Sequence, residues 1–430
     1  MKRALVLNGG GSRGAYEIGA WQALDALGVR FDGVYGTSIG ALNAALFAQG
    51  DLEGAVALWS NITVKQIMVV EDDDDFAVDR MIASKRDVIP FLRDNVRHFR
   101  MDISPLEALA RERLDEGRIR ARGLRLGVMT TRAPQLTGAP VLLEHMKPGS
   151  LVDWVIASAS CFPIFPARNI DGQRYIDGGY YDNLPVDMAL ADGMDEVVAV
   201  ELRPEYTHPE YVRMPWLITV RPLHSLGGFL DFNPDLLRRS RLLGYQDTMK
   251  RWGQLDGFRY AFRRVDALAV SDGAHRYMEA LLRFDSELIR RGLIHRGQPA
   301  NAPLLAALQR ETGERALSWK DIWVRGLELC AEALGQREDA IYDPEAMLRR
   351  ARAFCEGQVF TERFDDGGLQ VVRRRGSRAL MAFVYQRLAS GEGFPPELLK
   401  RLGETPVEVA GAMFVGIYCF QTIKSIGGTR

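Results

Sequence analysis

Near its start, the chain passes twice from a short apolar run through glycines into a helical pattern. The first run is Ala4 to Leu7, before the helical pattern of Tyr16 to Leu27, and the second is Phe31 to Tyr35, before Leu42 to Phe47. Strands and helices that alternate in this way favour a parallel sheet, because each helix carries the chain back across one face. The sequence therefore predicts an α/β fold with a mostly parallel sheet flanked by helices.

The character of the chain changes after about Leu255. Long amphipathic patterns follow one another there: Arg276 to Leu293, Trp319 to Leu334, Pro344 to Phe354, Arg378 to Leu388 and Val407 to Ile423. A chain of 430 residues also exceeds one typical core. We therefore expect an α/β domain at 1–255 and a mainly helical accessory domain at 256–430. Between these helices, Asp366-Gly367-Gly368 is interpreted as the turn of a β-hairpin.

Composition excludes some classes of protein and of site. The formal net charge of −1 gives no general attraction to nucleic acid, so no nucleic-acid partner is expected. The apolar stretch from Val409 to Phe420 is shorter than the ~18 residues that cross a bilayer. The cysteines are few and widely spaced, which favours reduced thiols and a cytoplasmic location, and no metal-ligand set is apparent. The acidic run Glu71 to Asp75 is predicted to be a solvated loop.

The first glycine-rich turn is Gly9-Gly10-Gly11-Ser12-Arg13-Gly14. Glycines between a strand and a helix let backbone N–H groups converge on one negative oxygen, as an oxyanion hole requires. The same letters fit a dinucleotide-binding turn, which needs an acidic residue at the end of the next strand. Asp32 lies at the start of that strand instead, which argues against dinucleotide binding. A purely structural glycine turn stays open.

The second turn is Gly36-Thr37-Ser38-Ile39-Gly40. Small residues on both sides of a serine permit the sharp strand-to-helix turn of a nucleophile elbow, which exposes the serine hydroxyl. Ser38 is therefore a candidate nucleophile, and the N–H of Ile39 is a candidate oxyanion donor at the positive end of the following helix.

The third motif is Asp177-Gly178-Gly179, which follows a short predicted strand. None of the histidines follows directly after a predicted strand with small residues beside it. We interpret each of them as a surface or interface residue: His98, His145, His208, His224, His275 and His295. Asp177 could instead take the Ser38 proton directly. Its carboxylate is a weak base in water, so the hypothesis requires a dry pocket that raises its pKa.

These three motifs, in this order, resemble those of the patatin-like phospholipase family. The segment from Ala157 to Pro166 resembles the family's Ala-Ser-x-x-x-x-Pro-x-x-Phe-Pro pattern, and Asn183 and Pro185 follow Asp177 as they do in the family. The resemblance covers about Lys2 to Asp247.

The resemblance implies a Ser38–Asp177 dyad, an acyl-enzyme on Ser38 and no cofactor. It also implies that Gly9, Gly10 and Gly11 supply oxyanion donors, with Gly14, Gly36, Gly40, Gly178 and Gly179 shaping the turns. Arg13 has two readings, as a ligand for a phosphate headgroup or as a bridge between loops, and the bridge is favoured.

The function that the resemblance implies is hydrolysis of a lipid carboxylic ester. Acyl transfer by the same dyad and a non-catalytic lipid-binding role stay open as alternatives. Peripheral membrane contact is a further hypothesis, with the Val407 to Ile423 stripe, Arg238 to Arg241 and Arg373 to Arg375 as candidate surfaces. The ester, its positional preference, the oligomeric state and the activation trigger are not determined by the sequence.

Overall fold

The computed structural model describes residues 1–69, 101–293, 303–310, 312 and 316–419. The chain forms two compact units, Met1–Arg251 and Trp252–Arg430. The acidic run Glu71 to Asp75, His98 and His295 lie outside the described residues.

The first unit contains one sheet and the helices around it. Its strands are β1 Arg3–Leu7, β2 Gly33–Thr37, β3 Arg125–Ala133, β4 Thr137–Leu142, β5 Arg168–Ile170, β6 Gln173–Asp177, β7 Glu196–Val200 and β8 Leu217–Val220. Its helices are α1 Ala15–Ala26, α2 Ile39–Gln49, α3 Leu52–Asn61, α4 Ser104–Arg113, α5 Glu116–Arg122, α6 Leu151–Ser158, α7 Val186–Ala191 and α8 Pro234–Arg251. Single turns of 3₁₀ helix include Gly11–Gly14 and Gly178–Tyr180.

The sheet is mixed but mostly parallel. The pairs β1–β2, β1–β7, β2–β3 and β7–β8 are parallel, whereas β3–β4, β3–β6 and β5–β6 are antiparallel. Helices cover both faces, since Ala4 and Val6 of β1 pack in one cluster with α7, while Leu5 and Leu7 line a space shared with α1 and α2. The predicted mostly parallel sheet with flanking helices is confirmed.

Strand β3 uses one edge for two partners. Along its first part this edge pairs in parallel with β2, and Thr37 lies opposite Met129. Along its last part the same edge pairs in antiparallel with β6, and Asp177 lies opposite Thr130. Strand β4 pairs with the other edge from Gly127 to Arg132. The carboxyl ends of β2 and β6 therefore meet at neighbouring positions of β3, and Ser38 emerges beside Asp177.

A buried polar cluster joins the helices behind this meeting point. The side-chain amide of Asn43 donates to Glu17 Oε2 at 2.7 Å and to the carbonyl of Gly14 at 3.2 Å, and Trp59 Nε1 donates to Asn43 Oδ1 at 2.9 Å. Burial raises the pKa of Glu17 well above its ordinary value. These bonds tie α1, α2 and α3 together where α1 and α2 begin.

The second unit is mainly helical, as predicted. Its helices are α9 Ala267–Arg290, α10 Pro303–Gln309, α11 Trp319–Ala333, α12 Pro344–Glu356, α13 Asp366–Arg374, α14 Ser377–Ala389, α15 Leu399–Gly403 and α16 Pro406–Cys419. The short strands β9 Leu255–Asp256, β10 Ala261–Arg263 and β11 Ile341–Tyr342 form a small sheet.

The predicted hairpin around Asp366-Gly367-Gly368 is wrong. These residues open helix α13, and the side chain of Asp365 accepts a hydrogen bond from the N–H of Gly368 at 2.9 Å. An aspartate before glycines is equally typical of a tight turn and of a helix N-cap, so the local sequence did not separate the two.

The apolar stripe that begins at Val407 belongs largely to a core. Val409, Met413 and Phe414 of α16 are fully buried in the second unit, and the end of the stripe lies outside the described residues. Its described part is therefore not a free surface for a membrane. Among the helices of the described ranges, none has both the length and the apolar character needed to cross a bilayer.

A buried ion pair holds part of the second unit together. Arg325 and Glu328 of α11 pair with both side chains only 1% exposed. Arg325 Nε donates to the carbonyl of Leu308 at 3.0 Å, near the end of α10, and Glu328 Oε1 accepts from the backbone N–H groups of residues 258–260 at 2.7 to 2.8 Å. The pair thus connects α11 to α10 and to the loop before β10.

Replacing Arg325 by methionine should destabilise the second unit by roughly 3–5 kcal/mol, because Glu328 would be left as a buried charge without its partner. Urea unfolding followed by circular dichroism measures this change. The matched control is Arg349→Met, since Arg349 and Glu345 form an exposed pair with side chains 70% and 85% accessible. The control should change stability by less than about 0.5 kcal/mol. Equal effects of the two substitutions would contradict the assigned role of the buried pair.

Candidate active site

Ser38 occupies a strained turn between β2 and α2. Its backbone has φ 55° and ψ −124°, a conformation that side-chain-bearing residues rarely adopt. A Cβ on Gly36 would lie 2.2 Å from the carbonyl oxygen of Gly40, so the turn closes only with glycine there. The N–H of Ser38 donates to Ser158 Oγ at 2.8 Å, and Ser158 Oγ donates to the carbonyl of Met129 at 2.6 Å. Ser158 therefore connects the elbow to β3.

The hydroxyl of Ser38 donates to Asp177 Oδ2 at 2.7 Å. The other carboxylate oxygen accepts from the N–H of Gly179 at 2.7 Å, and the N–H of Asp177 donates to the carbonyl of Ser160 at 2.9 Å. Gly178 lies against β3, where a Cβ would be 2.3 Å from the carbonyl oxygen of Met129. The structure thus brings the two predicted dyad residues into direct contact.

The glycine turn after β1 lies against the elbow, but its first amide is already engaged. The N–H of Gly9 donates to the carbonyl of Asn183 at 3.0 Å. This bond corrects the prediction that Gly9 supplies an oxyanion donor. The amides of Gly10, Gly11 and Ile39 have no acceptor within the described part of the chain, and they form the narrower candidate donor set.

Arg13 bridges two loops. Its Nε donates to the carbonyl of Gly227 at 2.9 Å, beside the bond from the N–H of Ser12 to the carbonyl of Phe229 at 2.8 Å. Burial and the nearby Arg203 lower the pKa of Arg13. This geometry agrees with the favoured loop-bridging reading. Gly14, the last residue of the turn, packs against the ring of Trp59.

Asn183 fastens the glycine turn to the loop that carries Asp177. Its side-chain amide donates to the carbonyl of Gly9 at 2.9 Å and to Asn8 Oδ1. Asn8 in turn donates to Glu201 Oε2 at 2.9 Å and to Thr207 Oγ1 at 3.0 Å. Sequence reasoning had Asn183 only as part of a family pattern and missed Asn8, since an asparagine beside glycines is typical of any turn.

The amino-acid sequence from residue 5 to residue 190 matches the model of the patatin-like phospholipase family. Residues 5–190 are therefore similar to the patatin-like phospholipase family. The match includes the glycine turn, the elbow and Asp177.

Curated relatives resemble this chain over the same region. It is 29% identical over 212 residues to a cUMP-AMP-activated phospholipase of Escherichia coli, which covers 44% of this chain and 58% of that protein. It is 30% identical over 208 residues to an uncharacterized NTE family protein of Mycobacterium tuberculosis, covering 46% of this chain and 30% of the relative. The chain therefore spans only part of the length of these relatives. Among solved structures, VipD of Legionella pneumophila is similar with a TM-score of 0.39 and 16% identity, over 96% of this chain and 91% of VipD.

Burial raises the pKa values of two side chains at the candidate site. Asp177 is only 6% exposed, and its desolvation raises its pKa to about 6, against the smaller opposing effect of the hydrogen bonds from Ser38 and Gly179. Burial, with a contribution from Asp177, raises the pKa of the Cys161 thiol to about 12. The Asp177 carboxylate is therefore mostly ionised at neutral pH, while the Cys161 thiol stays neutral.

His208 is half-buried and contacts the segment that follows Asp177. Its Nε2 is 3.1 Å from Asp182 Oδ1 and 3.0 Å from the carbonyl oxygen of Leu184, and its Nδ1 is 3.1 Å from Glu210 Oε1. Both ring nitrogens face acceptors, so both carry protons. The hydrogen bond to Asp182 is the main cause that raises the pKa of His208 to about 9. No sequence signal marked it, because Asp182 and His208 meet only through the fold.

Replacing Asp177 by asparagine should stabilise the protein at pH 7.5, by on the order of 2–3 kcal/mol. The pKa of Asp177 is raised to about 6 in the folded state from an ordinary 3.8, so the wild type loses stability as pH rises from about 4 to 6. Asparagine carries no such charge. Urea unfolding of both proteins at pH 4 and pH 7.5 measures the difference, with the exposed Asp25→Asn as control. An Asp177→Asn protein less stable than the wild type at pH 7.5 would contradict this account.

The His208 imidazolium should stabilise the fold below about pH 6.5, and this contribution should fade as pH rises through about 9, because the pKa is raised on folding. After allowance for solvent screening, we expect the free energy of unfolding to fall by about 1–2 kcal/mol between pH 6.5 and pH 9. His208→Gln should remove most of this slope. His275→Gln is the control, since His275 bonds the carbonyl of Ser271 in the second unit and should leave the slope intact. Unfolding of the wild type and both variants in urea at pH 6.5 and 9.5 measures the three slopes.

Proposed function

We propose that this chain is a serine lipid-acyl hydrolase that cleaves carboxylic esters through Ser38 and Asp177. The observation that carries the proposal is the 2.7 Å hydrogen bond from the Ser38 hydroxyl to Asp177 Oδ2. A buried carboxylate with a pKa near 6 is a stronger base than one in water, and at neutral pH it is still mostly ionised.

In the first half of the reaction, Ser38 Oγ attacks the ester carbonyl carbon while Asp177 Oδ2 accepts the hydroxyl proton. The carbonyl oxygen becomes an oxyanion, and the N–H groups of Gly10, Gly11 and Ile39 are the proposed donors to it. Helix α2 begins at Ile39, so its positive end favours the same charge. The intermediate then expels the alcohol, which takes the proton from Asp177, and leaves an acyl ester on Ser38.

In the second half, Asp177 accepts a proton from water, and the resulting hydroxide attacks the acyl carbonyl. The same donors face the second oxyanion. Its collapse releases the carboxylic acid and returns the proton to Ser38 Oγ, so atoms and charge balance over the cycle. An alcohol in place of water would give acyl transfer through the same steps.

The match of residues 5–190 to the model of the patatin-like phospholipase family supports a lipid as the acyl donor. The Escherichia coli relative is named as a phospholipase, and we extend that substrate class to this chain as part of the proposal. The dyad lies entirely in the first unit, which supports the assignment of residues 1–255 as the catalytic domain and residues 256–430 as an accessory domain.

Ser38→Ala and Asp177→Asn should each lower kcat by on the order of 10³-fold or more, both on p-nitrophenyl esters and on phospholipid vesicles. In the wild type, kcat/KM should rise with pH through about 6 as Asp177 loses its proton. Release of p-nitrophenol and of fatty acid measures the two activities, and added alcohols separate hydrolysis from acyl transfer by their ester products.

Ser60→Ala is the matched control, because Ser60 is exposed on α3 and its hydroxyl donates to the carbonyl of Val56 in the same helix. It should keep full turnover. Turnover that survives in a folded Ser38→Ala protein would refute the mechanism, and a wild type without activity on any ester would favour the non-catalytic lipid-binding alternative.

A further inference from the structure

Three exposed aromatic side chains border the dyad. Phe162 is 44% exposed, Tyr180 46% and Tyr181 62%. We call these three residues the aromatic rim. Within the described part of the first unit, no other aromatic side chain is classed as exposed. Exposure of an aromatic ring to water is unfavourable, because burial of its apolar surface would stabilise the protein. Apolar side chains that cluster on a surface commonly mark an interaction site.

The rim is built on the two segments that surround Asp177. Phe162 follows Cys161, and Tyr180 ends the 3₁₀ turn that begins after Asp177. The hydroxyl of Tyr180 donates to the carbonyl oxygen of Phe162 and lies 4.0 Å from Cys161 Sγ. Asp177 contributes to the raised pKa values of both Cys161 and Tyr180, so these groups lie within its electrostatic range. The rim is therefore next to the site where the ester would react.

An adjoining hairpin extends the rim. The ring of Tyr181 covers Gly138 of β4, where a Cβ would lie 2.3 Å from a ring carbon. Leu136, at the tip between β3 and β4, has a side chain 55% exposed. Rings with hydroxyl tips beside an exposed leucine are suited to the boundary between water and hydrocarbon, because one end of each tyrosine is polar and the other apolar.

Two cations lie on the strands next to this surface. Arg132 of β3 and Arg174 of β6 are exposed, and neither has an ion-pair partner among the described residues. Arg132 lies in the strand that leads into the hairpin, opposite Thr137, and Arg174 lies opposite Ala133. Lys147, by contrast, pairs with Asp171 at 2.6 Å. Unpaired arginines beside apolar rings complement anionic headgroups above an acyl layer.

We propose that the aromatic rim, with Leu136, Arg132 and Arg174, is the surface through which the first unit docks on an anionic lipid bilayer. The proposal deepens the proposed lipid hydrolysis and rests on it for the substrate. Docking here brings the dyad to the lipid surface, so an ester can move from the bilayer to Ser38 with little passage through water. The apolar stripe of α16 does not compete for this role, because Met413 and Phe414 are buried.

The test measures binding without chemistry. The full chain carrying Ser38→Ala is floated with vesicles of phosphatidylcholine, and with vesicles of phosphatidylcholine mixed with phosphatidylglycerol. Adding Phe162→Ser and Tyr181→Ser should weaken binding to both by at least ~10-fold, since each buried ring contributes substantially to the transfer free energy. Tyr180 is kept, because its hydroxyl holds the backbone of Phe162.

The matched apolar control is Val212→Ser with Met214→Ser. These side chains are 37% and 43% exposed and precede β8, at the opposite edge of the sheet. Binding should be unchanged in this control. Arg132→Gln with Arg174→Gln should weaken binding by roughly fivefold per arginine on the anionic vesicles only. Arg30→Gln with Arg118→Gln, at two other exposed arginines, should not.

Failure of docking and failure of catalysis are separable here. Flotation does not depend on turnover, and turnover of a soluble p-nitrophenyl ester does not require a bilayer. A protein that does not float with either vesicle overturns the docking proposal, as does equal binding by rim and control variants. Rim variants that convert a dimer to a monomer in light scattering, or that lower the unfolding midpoint sharply, would also overturn it by assigning the rim to a protein contact.

Discussion

The shared edge of β3 is the constraint on which the site depends. Because β2 and β6 pair end to end along this edge, Thr37 and Asp177 face consecutive residues of one strand. Strand pairing defines such positions closely, since a shift by one residue would turn every side chain to the other face. The hydroxyl of Ser38 thereby meets a carboxylate that is 139 residues away in the chain.

Several weaker contacts hold that meeting point in place. Ser158 bonds the amide of Ser38 to β3, and Asn183 ties the glycine turn to the loop after Asp177. The strained backbone of Ser38 persists because these partners constrain it on both sides. Desolvation of the Asp177 carboxylate also lowers the stability of the fold. Such a cost is typical of sites that need a base stronger than a solvated aspartate.

Charge in this protein is organised locally. A net charge of −1 excludes a general electrostatic attraction, yet Arg132 and Arg174 remain exposed and without described partners beside the aromatic rim. Most other arginines that the sequence presents as clusters have structural partners. Arg239 donates to the carbonyl of Ser225, and Arg375 pairs with Glu362. Clusters of arginines in the sequence therefore did not identify the arginines beside the aromatic rim.

The sequence by itself determined most of the local elements and the residue types that each motif contains. Gly36 and Gly40 around Ser38 specify an elbow, and the apolar periodicities specify which strands and helices form, because both signals act over a few residues. The tertiary structure decided what no local pattern contains. It engaged the amide of Gly9 with Asn183, placed the ring of His208 on Asp182, and turned Asp366-Gly367-Gly368 into a helix start. Each of these outcomes depends on a partner distant in sequence or on a cap that resembles a turn, and only packing chooses between them.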